Sequence, residues 1–226
     1  MSNINTRDEI INTAQRLFYS VGYDKTSIQM IINEIDIAKG TFYHYFKSKS
    51  ELMLEIVKIT VEQIVEQLNA VVTNSSLSPI EKINTIFNAS AKYKAANLDY
   101  IKAIMYAMYN DSNLILRENI KRLSLELSTP LLNTIIEEGM ETGAFKCKYS
   151  NQGEIIWVIG MSLSDKMCFA IMNSNKDTAD ELFINKTIDD LNMYTYTIET
   201  ILEMEHGKLN LFDEDFVRDF LQKLSS

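Results

Sequence analysis

Apolar positions recur at helical intervals from the start of the chain. Ile10, Ile11, Ala14, Leu17, Phe18 and Val21 fall on one face of a helix that opens after Thr6, and Gly22 ends it. Ile28, Ile31, Ile32 and Ile35 mark a second, short helix beginning at Thr26. Ala38, Phe42, Tyr45 and Phe46 share one face of a third, over Ala38–Phe46. Thr6-x-x-Glu9, Thr26-x-x-Gln29 and Ser48-x-x-Glu51 each match the capping box, in which a hydroxyl and an acid or amide satisfy orphan N–H groups at a helix start. From Ser48 a long helix runs to Val72 with Leu52, Ile56, Val57, Val61, Ile64, Val65, Leu68 and Val72 inward. Ser78-Pro79-x-Glu81 opens the next. Further helices are expected over 79–95, 98–109, 112–141, 152–173 and 187–205, and a short one in the tail 207–226. Pro130 should bend or divide the third of these, and Gly143 should cap it. No strand period or repeat interrupts the series. The chain reads as all-α, a three-helix head (1–50) on a larger helical body (51–226).

Composition supports long helices: two prolines and seven glycines leave little punctuation for tight turns. Cys147 and Cys168 lack the spacing of a disulfide framework or zinc site, and no cofactor motif is visible. The first twenty residues are polar and periodic, unlike an export signal, so a cytoplasmic location is expected. The most apolar run, Ile155–Met172, is broken by Asp165 and Lys166 and makes a poor membrane span. Charge is distributed unevenly. The formal net charge is −9, yet residues 1–50 carry six Lys/Arg against five Asp/Glu, while the remainder carries 16 against 26. A near-neutral head on an acidic body can meet phosphate if its few bases share a face.

They do share one. On the third helix the face opposite Phe42 is centred on Gly40 and Lys47, with Tyr43 and His44 beside them and Lys39 and Thr41 at the flanks. These side chains include donors suited to phosphates and base edges, and an outward glycine permits close backbone approach. Two short helices joined by about three residues form a helix-turn-helix, whose second helix enters the DNA major groove.

The whole stretch 6–57 resembles the DNA-binding head of the tetracycline-repressor (TetR/AcrR) family. Ala14…Leu17-Phe18…Gly22-Tyr23…Thr26-Ser27-Ile28 and Lys39-Gly40-Thr41-Phe42-Tyr43-His44-Tyr45-Phe46…Lys49…Leu52 carry the resemblance. It implies that Lys39, Gly40 and Thr41 approach bases, and that Thr26, with Ser27 beside it, Tyr43, His44 and Lys49 meet phosphates; Lys47 is added from its place on the helix. Two positions depart from the family pattern. Asp36 replaces a turn glycine, which aspartate can do because it tolerates the left-handed conformation. Ala38 lacks the hydroxyl that would cap the third helix.

In the body, Tyr93, Tyr100, Ile104, Met105, Tyr106, Met108 and Tyr109 combine aromatic and thioether groups suited to an effector pocket, although plain helix packing explains any one of them. The acidic body favours an apolar or cationic effector over an anionic one. The helix over 152–173 is apolar around most of its circumference, which requires burial on more than one side. The resemblance implies that it and the next helix pair with a second copy, placing Ile155, Ile159, Leu163 and Met167, then Leu191, Tyr194, Ile198 and Ile201, at a homodimer interface. The expected function is a ligand-responsive regulator of a palindromic double-stranded operator. An all-helical enzyme or adaptor that keeps the head as a packing unit is the alternative. The only histidines, His44 and His206, lie in no catalytic or metal-binding pattern.

Overall fold

The computed structural model describes residues 5–110, 113–173 and 181–225, without the side chains of 94, 98–99, 167–173 and 223–225. Met167, one of the expected interface positions, therefore lies outside the described side chains. Ten α-helices and no strand occur among the described residues: α1 (Thr6–Ser20), α2 (Ile28–Glu34), α3 (Lys39–Tyr45), α4 (Lys49–Val72), α5 (Pro79–Ala96), α6 (Leu98–Tyr109), α7 (Leu114–Glu141), α8 (Gly153–Asn173), α9 (Glu181–Ile201) and α10 (Glu214–Ser225).

Most helix starts fall close to where the sequence puts them, but the capping groups differ. Asn5 caps α1 in place of Thr6, accepting from the Arg7 N–H. Ser27 caps α2 in place of Thr26, its Oγ accepting from the Met30 N–H at 3.2 Å. Ser78 and Glu81 form the full capping box of α5. At α4 the box is shifted, because Glu51 reaches back to the Lys47 N–H (2.6 Å) while Ser48 Oγ accepts from Glu51 N–H. Pro130 sits inside an unbroken α7, so it does not divide that helix. Gly143 has a φ of +75° at the end of α7, as a left-handed cap requires. The helix α9 begins six residues earlier than the pattern suggests, at Glu181.

The chain forms two compact units, one comprising residues up to Glu62 with Asp99–Ser124, the other Gln63–Leu98 with residues from Leu125 onward. The division expected from function, at residue 50, is not the division made by packing. In the first unit Ile10, Ala14, Leu17 and Phe18 of α1, Ile31 and Ile32 of α2, Phe42 of α3 and Leu52, Met53 and Ile56 of α4 share one core with Tyr100, Ala107, Leu116 and Ile120. Removing a ring such as that of Phe42, which is fully buried, costs about 3–5 kcal/mol. In the second unit Leu68 and Val72, Ile83, Ile86 and Phe87, Leu131 to Ile136, Ile156, Tyr194 and Ile198 form another core with Leu202, Leu209 and Leu211. A smaller cluster in the same unit packs Val217 and Leu221 of α10 on Ile184, Ile188 and Leu191 of α9.

Candidate nucleic-acid interface

The helices α2 and α3 are joined by residues 35–38, with Asp36 at a φ of +52°. Aspartate thus adopts the left-handed conformation that the turn demands. Ala38, exposed at the N-cap of α3, makes no side-chain capping bond. Its exposure departs from the inward position inferred from spacing, because it lies outside the regular helix.

Beyond Ala38, α3 divides as its pattern requires. Phe42 and Phe46 are buried and Tyr45 is half-buried, while Lys39, Gly40, Tyr43, His44 and Lys47 are exposed and Thr41 is half-exposed. The Lys39 ammonium lies 5.9 Å from the centre of the Tyr43 ring, so base and aromatic form one patch. A Cβ placed on Gly40 would meet nothing within 4 Å. Nothing inside the protein requires glycine there, and glycine costs about 1 kcal/mol relative to alanine in a helix. Its bare backbone fits a surface that approaches from outside.

Two expected phosphate contacts are overturned. Thr26 is 1% exposed; its hydroxyl donates to Gly22 O (2.8 Å) and Leu17 O (3.2 Å). It staples the α1–α2 loop to the end of α1 and has no face to offer a phosphate. Lys49 is half-buried over the Tyr23 ring, and its Nζ donates to the carbonyls of Tyr23 (2.8 Å), Thr26 (3.0 Å) and Asp24 (3.5 Å). Burial holds its pKa below the usual lysine value, with Asp24 acting in the opposite direction. Burial, with the Asp24 charge, also raises the Tyr23 phenol to about 12, so that ring stays neutral beneath the ammonium. Asp24 in turn accepts from the side-chain amides of Asn110 (2.7 Å) and Asn113 (3.2 Å). The loop 22–27 is thus fixed by one lysine, one threonine and one aspartate, and it presents exposed Ser27 and Lys25. Lys25 was missed because it belongs to no helix pattern.

The expected effector positions do not converge. Tyr100, Ile104 and Met108 pack into the core of the first unit, and Tyr100 Oη meets Thr60 Oγ1 at 2.6 Å. Met105 and Tyr109 are buried, Tyr106 is exposed, and Tyr93 belongs to the other unit. Helix packing, rather than a pocket, accounts for the first three.

The expected dimer positions also divide. Leu191, Tyr194 and Ile198 are buried within the second unit, so they cannot meet another copy. Ile155 is exposed, and Ile159, Leu163 and Ile201 are half-exposed. The apolar side chains left outward are Ile155 and Val158 on α8 and Leu182, Met193 and Tyr196 on α9. Spacing alone could not choose between the two sides of α9, since both carry apolar residues. Among the described residues no group of His, Cys, Asp and Glu is placed to hold a metal, and no helix is long and apolar enough to cross a membrane.

Residues 10–56 match the family model for bacterial regulatory proteins of the tetR family. The HTH-type transcriptional regulator YxaF of Bacillus subtilis is 28% identical over 186 residues, covering 81% of this chain and 93% of that protein. The fatty acid metabolism regulator protein of the same organism is 26% identical, covering 61% of this chain and 70% of that protein. Among solved structures, RolR in complex with resorcinol aligns with a TM-score of 0.63 at 15% identity, covering 96% of this chain and 93% of that one. The Bacillus subtilis regulator FadR in complex with stearoyl-CoA aligns with a TM-score of 0.56 at 19% identity, covering 96% and 97%.

Proposed function

We propose that this chain, a member of the tetR family of bacterial regulators, is a homodimeric repressor that leaves a palindromic operator when a small molecule binds its second unit. The observation that carries the DNA-binding part is the outward face of α3, where Lys39, Gly40, Tyr43, His44 and Lys47 lie exposed behind a ring-packed inner face. Lys39, Gly40 and Thr41, at the start of the helix, are assigned to base edges. Tyr43, His44, Lys47, Ser27 and Lys25 are assigned to phosphates. Lys49 acts indirectly, by holding the loop that carries the last two.

A dimer gives this face a partner half-site, because two recognition helices about 34 Å apart read successive turns of one duplex face. The outward apolar residues Ile155, Val158, Met193 and Tyr196 are assigned to that interface. Ligand release follows if the effector binds the non-operator arrangement more tightly. Small-molecule complexes of two solved relatives support this part of the reading.

A gel-shift titration against the DNA upstream of the gene tests the assignment. Lys39→Ala and Tyr43→Ala should each weaken binding at least tenfold, and the affinity of the wild type should fall steeply with salt. Binding that ignores both substitutions and the salt concentration belongs to an adaptor or enzyme that keeps the head for packing.

A further inference from the structure

The second unit contains a box of four aromatic rings that neither DNA binding nor dimerisation uses. Phe87 of α5 stacks on Trp157 of α8, with ring centres 5.5 Å apart and planes at 22°. Phe87 also lies 6.2 Å from Tyr194 of α9 and 6.2 Å from Phe212, and Tyr194 and Phe212 are 6.3 Å apart. Three of the rings stand on helices. The fourth, Phe212, comes from the non-helical arm between α9 and α10.

The Trp157 indole N–H is buried and meets no acceptor among the described residues. Indole nitrogen is a donor only, so burial without an acceptor is a standing cost. The one hydroxyl in the box is already committed, since Tyr194 Oη donates to Ile156 O at 2.9 Å. Burial also pushes the Tyr194 phenol well above its ordinary value, so it remains neutral. A water would need two or more polar partners, and the other rings supply none. The box therefore offers flat apolar faces and one donor, with no ionised side chain among its four rings.

The arm is held differently from the helices. Its segment around residue 210 docks on α5 through Asn210 N–H to Asn84 Oδ1 (2.8 Å) and Asn88 Nδ2 to Asn210 O (2.9 Å), both exposed. Such bonds exchange with water at little net cost. Phe212 is only half-buried, whereas Phe87 and Tyr194 are buried. Of the four rings, Phe212 is the one that can leave, and an aromatic ligand taking its place conserves the packed volume.

We propose that the box binds a flat, uncharged aromatic molecule carrying an oxygen acceptor. Its ring replaces that of Phe212 against Phe87 and Tyr194, and its oxygen accepts from Trp157 Nε1. This deepens the ligand-responsive reading, on which it rests for the expectation of a ligand in this unit. The arm is then the chain's own occupant of the site, and binding competes with it.

Calorimetric titration of the full chain with methyl benzoate, isopropylbenzene and benzoate separates the elements of the proposal. The ester should bind at least tenfold more tightly than the hydrocarbon, which lacks the acceptor, and than the anion, which carries charge into the box. Trp157→Phe keeps a ring and removes the N–H, so ester and hydrocarbon should then bind alike. Phe212→Leu and Phe212→Ala should tighten the ester severalfold in increasing order, and either one alone decides the point if the other is unfolded by circular dichroism. Trp157 is the chain's single tryptophan, so its emission should respond to the ester in step with the heat. Equal affinity of the wild type for ester and hydrocarbon, absence of ester binding, or an unchanged preference in Trp157→Phe overturns the proposal. A wild type that ignores the ester yet binds DNA through Lys39 and Tyr43 sinks this site and leaves the regulator standing.

Discussion

Two loops in this protein are held by a single charged side chain, and the two charges are opposite. In the first unit the Lys49 ammonium gathers the carbonyls of Tyr23, Asp24 and Thr26. In the second the Glu199 carboxylate gathers the N–H groups of Gly207 (2.9 Å), Lys208 (2.8 Å) and Leu209 (2.8 Å). Both replace secondary structure by a side chain that satisfies several backbone groups at once. They differ in burial: Glu199 is 2% exposed, whereas Lys49 is half-buried and keeps partial contact with water. Burial alone would raise the Glu199 pKa. The three backbone donors and His206, whose Nδ1 lies 3.4 Å away, outweigh it and hold the carboxyl below the usual range. The same device is therefore a deep anchor for the C-terminal arm and a shallower brace for the α1–α2 loop.

The contrast predicts unequal penalties. Glu199→Ala leaves three backbone donors without their acceptor, two of them only part-buried, and should cost about 3–5 kcal/mol in urea unfolding. Lys49→Met keeps the stem over Tyr23 and loses only the ammonium, so about 1–2 kcal/mol is expected. Its larger effect should be on operator affinity, because the loop it braces carries Lys25 and Ser27. A Lys49→Met penalty as large as that of Glu199→Ala would show that burial does not set the difference. Acid should act on one anchor only. A carboxyl with a lowered folded pKa gives its full stabilisation above the unfolded value and loses it as pH falls through the folded one. The stability gap between wild type and Glu199→Gln should thus be constant near neutrality and close at strongly acid pH. Smallest of all, Asp36→Gly with Ala38→Ser should tighten operator binding only severalfold, by relieving a left-handed aspartate, removing a negative charge near DNA and capping α3. Unchanged or weaker binding in a gel-shift titration rejects that account.

The fold was legible wherever local rules decide. Caps, the glycine stops and the apolar stripes located nearly every helix, and the inner face of α3 followed from four positions. Choices that depend on a distant partner were not legible. Thr26 and Ser27 are adjacent hydroxyls that both suit a helix start, and only the proximity of Leu17 and Gly22 sends one inward. Lys49 looks like any surface lysine until the loop at 23–26 folds over it. Leu191, Tyr194 and Ile198 lie on the strongest stripe of α9, but that stripe faces its own unit, including Leu202 and the arm beyond it. Trp157, Phe87 and Phe212 are so far apart in sequence that no spacing rule could join them.

Gly139, four residues before the glycine that ends α7, shows how the chain's tolerance to change should be read. A Cβ there would lie 2.0 Å from Phe145 Cδ2, with further ring atoms at 2.3 and 2.8 Å, and Phe145 is itself buried and tied back by its N–H to Gly139 O. Even alanine, the smallest possible change, must evict an aromatic ring. A saturation map of repression would therefore mark position 139 as intolerant as Lys39, although it touches neither operator nor effector. Cellular abundance separates the two kinds of silence: variants at 139 should vanish from the soluble pool, while variants at 39 should accumulate normally and fail to repress.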